Sequence, residues 1–299
     1  MKRRKFILNT TLSVIAMSFS PLLKAASSSK KGKKITILHT NDTHSNIDPF
    51  PANHPKFPGM GGVAKRAALI EKIRKEEENV VLLDSGDIFQ GTPYFNTFKG
   101  ELEMKLMTYM AYDAATMGNH DFDIGLDGFL NAKQYAEFPF VCSNYDFDKT
   151  ILTGKIQKNC IIKRGGIRIG IFGIGIALEG LISKDNCANV VYLDPIKTAN
   201  EQADELKKAG CDLIICLSHL GYVYQDDQIS DKVLAEKTKN IHLILGGHTH
   251  TFLTEPTIIN NSDQQPVMIN QTGWGGINLG RIDIDLENHL LGSKLIEVK

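Results

Sequence analysis

The sequence predicts an α/β domain in which apolar strands alternate with amphipathic helices. Three observations lead there. Residues 80–83, 212–217 and 242–245 are short, mostly apolar runs with the length of buried parallel strands. Between such runs lie segments with apolar residues at helical spacing, such as Val63, Ala67, Leu69, Ile70 and Ile73. Each run opens into a polar cluster of Gly, Asp, Ser or His, at the carboxyl end of a strand, where α/β proteins assemble their sites. The length, 299 residues, suits one such domain, and 42% hydrophobic with 23% charged residues is ordinary for a globular chain. The 34 basic residues balance 34 acidic ones, so bulk charge selects neither nucleic acid nor an anionic membrane as a partner.

Taken in order, residues 1–26 have the form of a twin-arginine export signal. Arg3, Arg4 and Lys5 precede a mostly apolar stretch, residues 10–23, and small residues follow from Ala25 to Ser29. That stretch is shorter than the ~20 residues of a membrane span. The expectation is a periplasmic or secreted protein with no stable membrane span after cleavage. Residues 27–34 form a solvated linker and residues 35–299 a single domain. Five cysteines, odd in number and without a Cys-x-x-Cys pair, point to neither a metal site nor a nucleophile, and one disulfide stays open.

The run from Lys34 to His39 alternates like a strand, and Thr40 to His44 follow as a polar loop. Residues 46–59 carry four prolines and little periodicity, as a long loop over the mouth of a site would. Helices are expected over residues 60–78, 101–112, 126–135, 195–209 and 229–239, the fourth closed by Gly210. Residues 139–142, 156–162 and 167–174 continue the sheet, and short strands with turns fill residues 256–297. Gly170, Gly173 and Gly175 reverse the dinucleotide-binding spacing and no helix opens after them, so they belong to a core strand.

The polar strand ends carry the chemistry. Asp42 with His44, Asp87, Asn119 with His120, His219, and His248 with His250 each follow a strand. Imidazoles mixed with two carboxylates and an amide suit Zn, Mn or Fe better than Ca, which takes more oxygens. Leaving His120 aside, seven ligands exceed one tetrahedral ion and fit two ions sharing a carboxylate. Two metals ~3.5–4 Å apart clamp the attacking and leaving oxygens of a phosphoryl displacement. Within Gly118 to Asp123, Asp123 lies three residues after His120, close enough to orient its ring.

In order, Asp42-x-His44, Gly86-Asp87, Gly118-Asn119-His120-Asp121, Ser218-His219 and Gly247-His248-Thr249-His250 match the motifs of the calcineurin-like metallophosphoesterases over residues 35–280. The chain most resembles their 5′-nucleotidase branch, which includes UDP-sugar hydrolases and cyclic-nucleotide phosphodiesterases; thiosulfate-ester hydrolases are more distant relatives. The resemblance implies a four-layer α/β/β/α sandwich with two central mixed sheets. It implies one metal on Asp42, His44, Asp87 and His250, and a second on Asp87, Asn119, His219 and His248, with Asp87 bridging. It places Asn119 and His120 against the substrate phosphate, His120 as the catalytic group held by Asp123, and a metal-bound water as nucleophile. Asp121 stands where these nucleotidases often carry glutamate and receives no direct role.

The expected activity is hydrolysis of phosphate monoesters, nucleotides first, with phosphodiesterase and UDP-sugar pyrophosphohydrolase activity as alternatives. Full-length 5′-nucleotidases continue into a second domain that holds the base, whereas this sequence ends at Lys299. A separate chain would then supply that domain, or the substrate is another small phosphate ester. His39, His54, His242 and His289 match no motif and are expected as surface or strand histidines. Trp274 either flanks the site or packs, and Thr40 and Thr43 are expected in turns.

Overall fold

Every residue of Val80–Asp84 is buried, as is every residue of Lys34–Thr40 after the first. Strands of that kind need cover on both faces. The computed structural model, which describes residues 34–286 and 289–299, supplies it with two sheets packed face to face. The export signal and most of the linker expected before residue 35 lie outside the described residues; Lys34 already opens the first strand.

In chain order, β1 (Lys34–Thr40) precedes α1 (Val63–Glu76), β2 (Val80–Asp84), α2 (Pro93–Phe98), α3 (Glu101–Tyr109), β3 (Ala114–Ala115), a 3₁₀ turn (His120–Phe122) and α4 (Gly125–Lys133). There follow β4 (Tyr145–Asp146), β5 (Asn159–Arg164), β6 (Ile167–Ile174), β7 (Val191–Tyr192), α5 (Pro195–Lys208), β8 (Leu213–Ser218), α6 (Asp231–Lys237) and β9 (Leu243–Leu245). The last strands are β10 (Thr257–Asn260), β11 (Pro266–Asn270), β12 (Asn278–Asp285) and β13 (His289–Glu297).

The first sheet runs β13-β12-β1-β2-β3, with β1, β2 and β3 parallel and β12 antiparallel to both its neighbours. The second runs β10-β11-β9-β8-β6-β5, parallel from β11 through β6 and antiparallel at both edges. Side-chain alternation then sorts the core into three apolar layers. Ile35, Ile37, Val81 and Leu83 meet Ile171, Ile215 and Leu245 between the sheets. Leu38 and Leu82 face the other way, onto Ile70, Met104 and Phe129 of the first helical layer. Phe172, Ile214 and Ile244 pack against Ala203, Leu206 and Leu234 of α5 and α6. The order is therefore helices, sheet, sheet, helices: the α/β/β/α sandwich.

Three expectations shift. The helix expected over residues 101–112 stops at Tyr109, because Ala111 takes a left-handed φ of 53°. Residues 139–142 are not a strand; Phe140 and Val141 form isolated bridges to Ala115 and Gln157, next to a proline that has no N–H to give. The strand expected over residues 156–162 runs instead from Asn159 to Arg164. Gly165 and Gly166, both with positive φ (57° and 76°), form a two-residue hairpin turn that pairs Arg164 with Ile167 and so sets the register. All five cysteines are free. Among the described residues, no helix is long and apolar enough to cross a membrane.

Candidate metal centre

The parallel strands β1, β2 and β3 of one sheet, and β8 and β9 of the other, present their carboxyl ends at one edge. Asp42 lies two residues past β1, Asp87 three past β2, His219 directly after β8, and His248 three past β9. Cross-ties fix these loops. Ser85 Oγ donates to the Leu245 carbonyl at 2.7 Å, and His219 Nδ1 meets the Ser85 carbonyl at 2.6 Å, so the two sheets are joined at the site itself. Asp42 N donates to Gly86 O (2.9 Å) and His44 N to Asp87 O (3.1 Å).

Two groups of side chains result. In one, the ligand atoms of Asp42, His44 and His250 lie within 4.8 Å of one another; in the other, those of Asp87, His219 and His248 do. The groups touch through Asp87, whose Oδ2 lies 3.1 Å from His219 Nε2 and 3.9 Å from His44 Nε2. Its other oxygen accepts the His120 backbone N–H at 2.8 Å. Asn119 Oδ1 lies 2.9 Å from His248 Nδ1. All seven residues named from the sequence thus converge. His120 and Asp123 stand beside them: His120 Nδ1 lies 3.0 Å from Asp123 Oδ2, and the His120 ring is 5.4 Å from that of His44.

The donor set fits divalent cations. His44 Nδ1 is held by the Phe89 carbonyl (3.0 Å) and His219 Nδ1 by that of Ser85, which turns each Nε2 towards the carboxylates. His219 Nε2 is fully buried and makes no hydrogen bond of proper geometry, an orphan that a cation would satisfy. Burial lowers the pKa of His44, and burial with the nearby His219 lowers that of His248 to about 4, so both are neutral and able to ligate at pH 7. His219 differs. Burial opposes its charge, but Asp87 outweighs burial and lifts the pKa to about 10, so a proton and a metal ion compete for one lone pair.

Backbone conformation marks the same residues independently. Asp42, His44, Asp87, His248 and His250 have φ of 48°, 44°, 54°, 71° and 51°. The left-handed region costs a residue with a side chain about 1 kcal/mol or more, and its concentration here is characteristic of functional sites. Gly118 completes the packing, since a Cβ there would stand 2.1 Å from Asp87 Oδ1 and 2.6 Å from His219 Nε2.

Several supporting residues escape sequence reasoning. Asp121, given no role above, is fully buried and accepts four backbone N–H groups, from Gly118 (2.8 Å), Asp87 (3.0 Å), Ile88 (3.1 Å) and Phe89 (3.3 Å). It ties the loop bearing Asp87 to the one bearing Asn119. Asn41 accepts from Thr272 N (2.8 Å) and donates to Gly273 O (2.7 Å) and Asp42 Oδ2 (2.5 Å). Thr40, expected in a turn, ends β1 and donates to Asp84 Oδ2 at 2.5 Å; Thr43 does lie in a turn, its carbonyl accepting from Asn46 N. Trp274 flanks the site, stacked on His250 at 5.9 Å between ring centres. His39 lies fully buried in β1, His242 accepts the Ile214 N–H, and His289 begins β13, all strand or near-strand positions.

The calcineurin-like phosphoesterase family model matches residues 35–252. The chain belongs to that family. It is 33% identical over 293 residues to the snake venom 5′-nucleotidase of Crotalus adamanteus, covering 91% of this chain and 48% of that protein. Among solved structures, it resembles a 5′-nucleotidase precursor from Thermus thermophilus, at TM-score 0.77 and 31% identity, over 88% of this chain and 54% of that one. The NAD nucleotidase of Haemophilus influenzae superposes at TM-score 0.75 and 26% identity, over 88% of this chain and 55% of that one. The chain spans about half the length of the curated relatives it matches.

Proposed function

We propose that the chain hydrolyses phosphate monoesters of nucleotides with two divalent ions of the Zn, Mn or Fe class. The observation that carries this reading is the pair of ligand groups meeting at Asp87 Oδ2, with the His120–Asp123 pair beside them. Asp42, His44, Asp87 and His250 would hold one ion, and Asp87, Asn119, His219 and His248 the other; such a pair would supply Lewis-acid polarisation of the phosphoryl oxygens and an activated water.

The chain's own residues do the rest. Asp123 engages His120 Nδ1, which leaves Nε2 for the ester. Burial opposes a charge on His120, but the bond to Asp123 and the charge of Asp87 outweigh it, so its pKa lies above the usual value. Such an imidazolium stabilises charge that develops on the phosphoryl group and can pass its proton to the departing oxygen. Its backbone N–H on Asp87 locks that geometry to the metal ligands. Asn119 places its amide where it can reach both an ion and the phosphate.

Export follows from residues 1–26 and agrees with the venom origin of the Crotalus relative; the N-terminal sequence of the mature protein tests it. The activity is tested by identifying the products formed from AMP (phosphate), a 2′,3′-cyclic nucleotide (nucleoside monophosphate), UDP-glucose (UMP and glucose 1-phosphate) and p-nitrophenyl phosphate (phosphate), with Mn or Zn added and with chelator. Metal-dependent preference for AMP is the expected result. Turnover only of the diesters moves the chain to the phosphodiesterases, equal weak turnover of all four assigns specificity to a second chain, and no turnover of any overturns the reading.

A further inference from the structure

Loop 46–59 and the segment around Trp274 build a row of aromatic rings that starts at a metal-ligand candidate. Trp274 lies parallel to His250, its ring tilted by 16° and centred 5.9 Å away. Phe50 and Phe57 meet its edges at 5.4 Å and 6.5 Å, at angles of 75° and 76°. Phe57 in turn stacks on Phe252 at 5.9 Å and 23°, and on His54 at 5.6 Å and 16°. The row ends in the open: Phe252 is 40% exposed.

This wall is held rigid by polar ties rather than by burial. Gly275 N donates to the Asp42 carbonyl at 2.7 Å and Gly273 N to that of Thr251 at 3.0 Å, so Trp274 is anchored to the loops that carry Asp42 and His250. Gly273, Gly275 and Gly276 all have positive φ, and a Cβ on Gly273 would come 2.3 Å from the Phe252 ring. His54 Nδ1 accepts the Phe57 N–H at 2.9 Å, and Phe50 N donates to Met60 O at 2.8 Å, which closes the loop on itself. Aromatic faces left in water beside a charged site, on backbone that cannot collapse over them, are costly unless a flat partner covers them.

We propose that this wall is a specificity surface for the ester's organic part, and that the ligand it takes is a nucleobase stacked on the exposed ring of Phe252, which Phe57 backs. The inference rests on the phosphoesterase reading for where the phosphate sits, and deepens it by naming the residues that take the base. A base is the fitting ligand because stacking needs only a π face, and every nucleobase has one. The wall would thus recognise nucleosides within this domain.

AMP and ribose 5-phosphate share phosphate and sugar and differ only in the base, so their kcat/KM ratio isolates the wall. The expected ratio favours AMP by about tenfold or more and drops towards one in Phe252→Leu and Phe57→Leu, chiefly through KM. Leucine keeps much of the packing volume and removes the ring. A binding readout needs no turnover. Trp274 is the only tryptophan of the chain, and adenosine titrated into the Mn-loaded protein should quench its fluorescence, less so in Phe252→Leu. A wild-type ratio near one, or a ratio and a quench unmoved by both substitutions, overturns the inference while leaving the hydrolase reading intact. Failure to release phosphate from any ester overturns that reading instead, and the adenosine titration then still decides the stacking.

Discussion

The two ligand groups share one strand edge but not one environment. Around Asp87 and His219 the side chains are 2% and 0% exposed, and Asn119, Gly118 and Ser85 close over them. In the other group Asp42 is equally buried, whereas the His250 side chain is 40% exposed, flanked by Trp274 and by the His44 ring at 5.0 Å; His248 of the first group is half-buried too. Low dielectric strengthens every charge interaction in the inner group, and water weakens those at His250. An ion in the inner position should therefore be held and exchange slowly, and one in the outer position should leave first. The comparison teaches that two ligand groups built from one pattern of residues can differ in their access to water.

The largest effect should come from Asp87→Asn, which breaks the comparison at its shared member. Metal content measured by mass spectrometry should fall for both positions and turnover should vanish; two retained ions would show that Asp87 does not join them. Next, His120→Ala should lower turnover by roughly 10²–10⁴ with both ions kept, since His120 is outside either group. Loss of metal in that variant would place it among the ligands. A smaller change follows from Asp121→Asn. It turns one of the two oxygens that accept four N–H groups into a donor, and supporting residues of this kind are worth about 10–100-fold in metal affinity. The loss should fall on the inner ion, read by chelator competition.

The smallest effect lies in the layer beneath both groups. His39 is fully buried, neither ring nitrogen has a partner, and burial lowers its pKa from 6.5 to about 3. The unfolded chain takes up this proton near pH 6.5 and the native one does not. Native stability is thus fully present above that pH and falls as pH drops towards 3, by at most about 1.4 kcal/mol per unit. Urea midpoints at pH 7.5 and 5 should diverge less in His39→Leu than in the wild type; equal divergence would assign the acid sensitivity elsewhere.

What the sequence shows and what it hides follow from range. Asp42, Asp87, His219 and His248 are legible because a buried strand writes itself as an apolar run and its polar end stands out. Helix α2 carries a local start signal too, since Thr92 accepts the Phe95 N–H at 3.4 Å and Pro93 opens the first turn, but six residues are too few to show a helical period. The bond between Asn41 and Thr272 spans 231 residues, and nothing local to either announces it. The same holds for Asp121, whose partners lie up to 34 residues away. Left-handed backbone at His44 or His250 leaves no trace either, because these residue types adopt it only when the surroundings compel it.

Each group takes side chains from both sheets: Asp42 and His44 with His250, and Asp87 with His219 and His248. The gap between the two ligand groups is thereby slaved to the gap between sheets, as the jaws of a caliper are to its beam. A bulkier residue at Ile171 or Leu245, deep in the inter-sheet layer, would then alter chemistry as well as stability. Changes to the filling of this sandwich tune its edge from a distance.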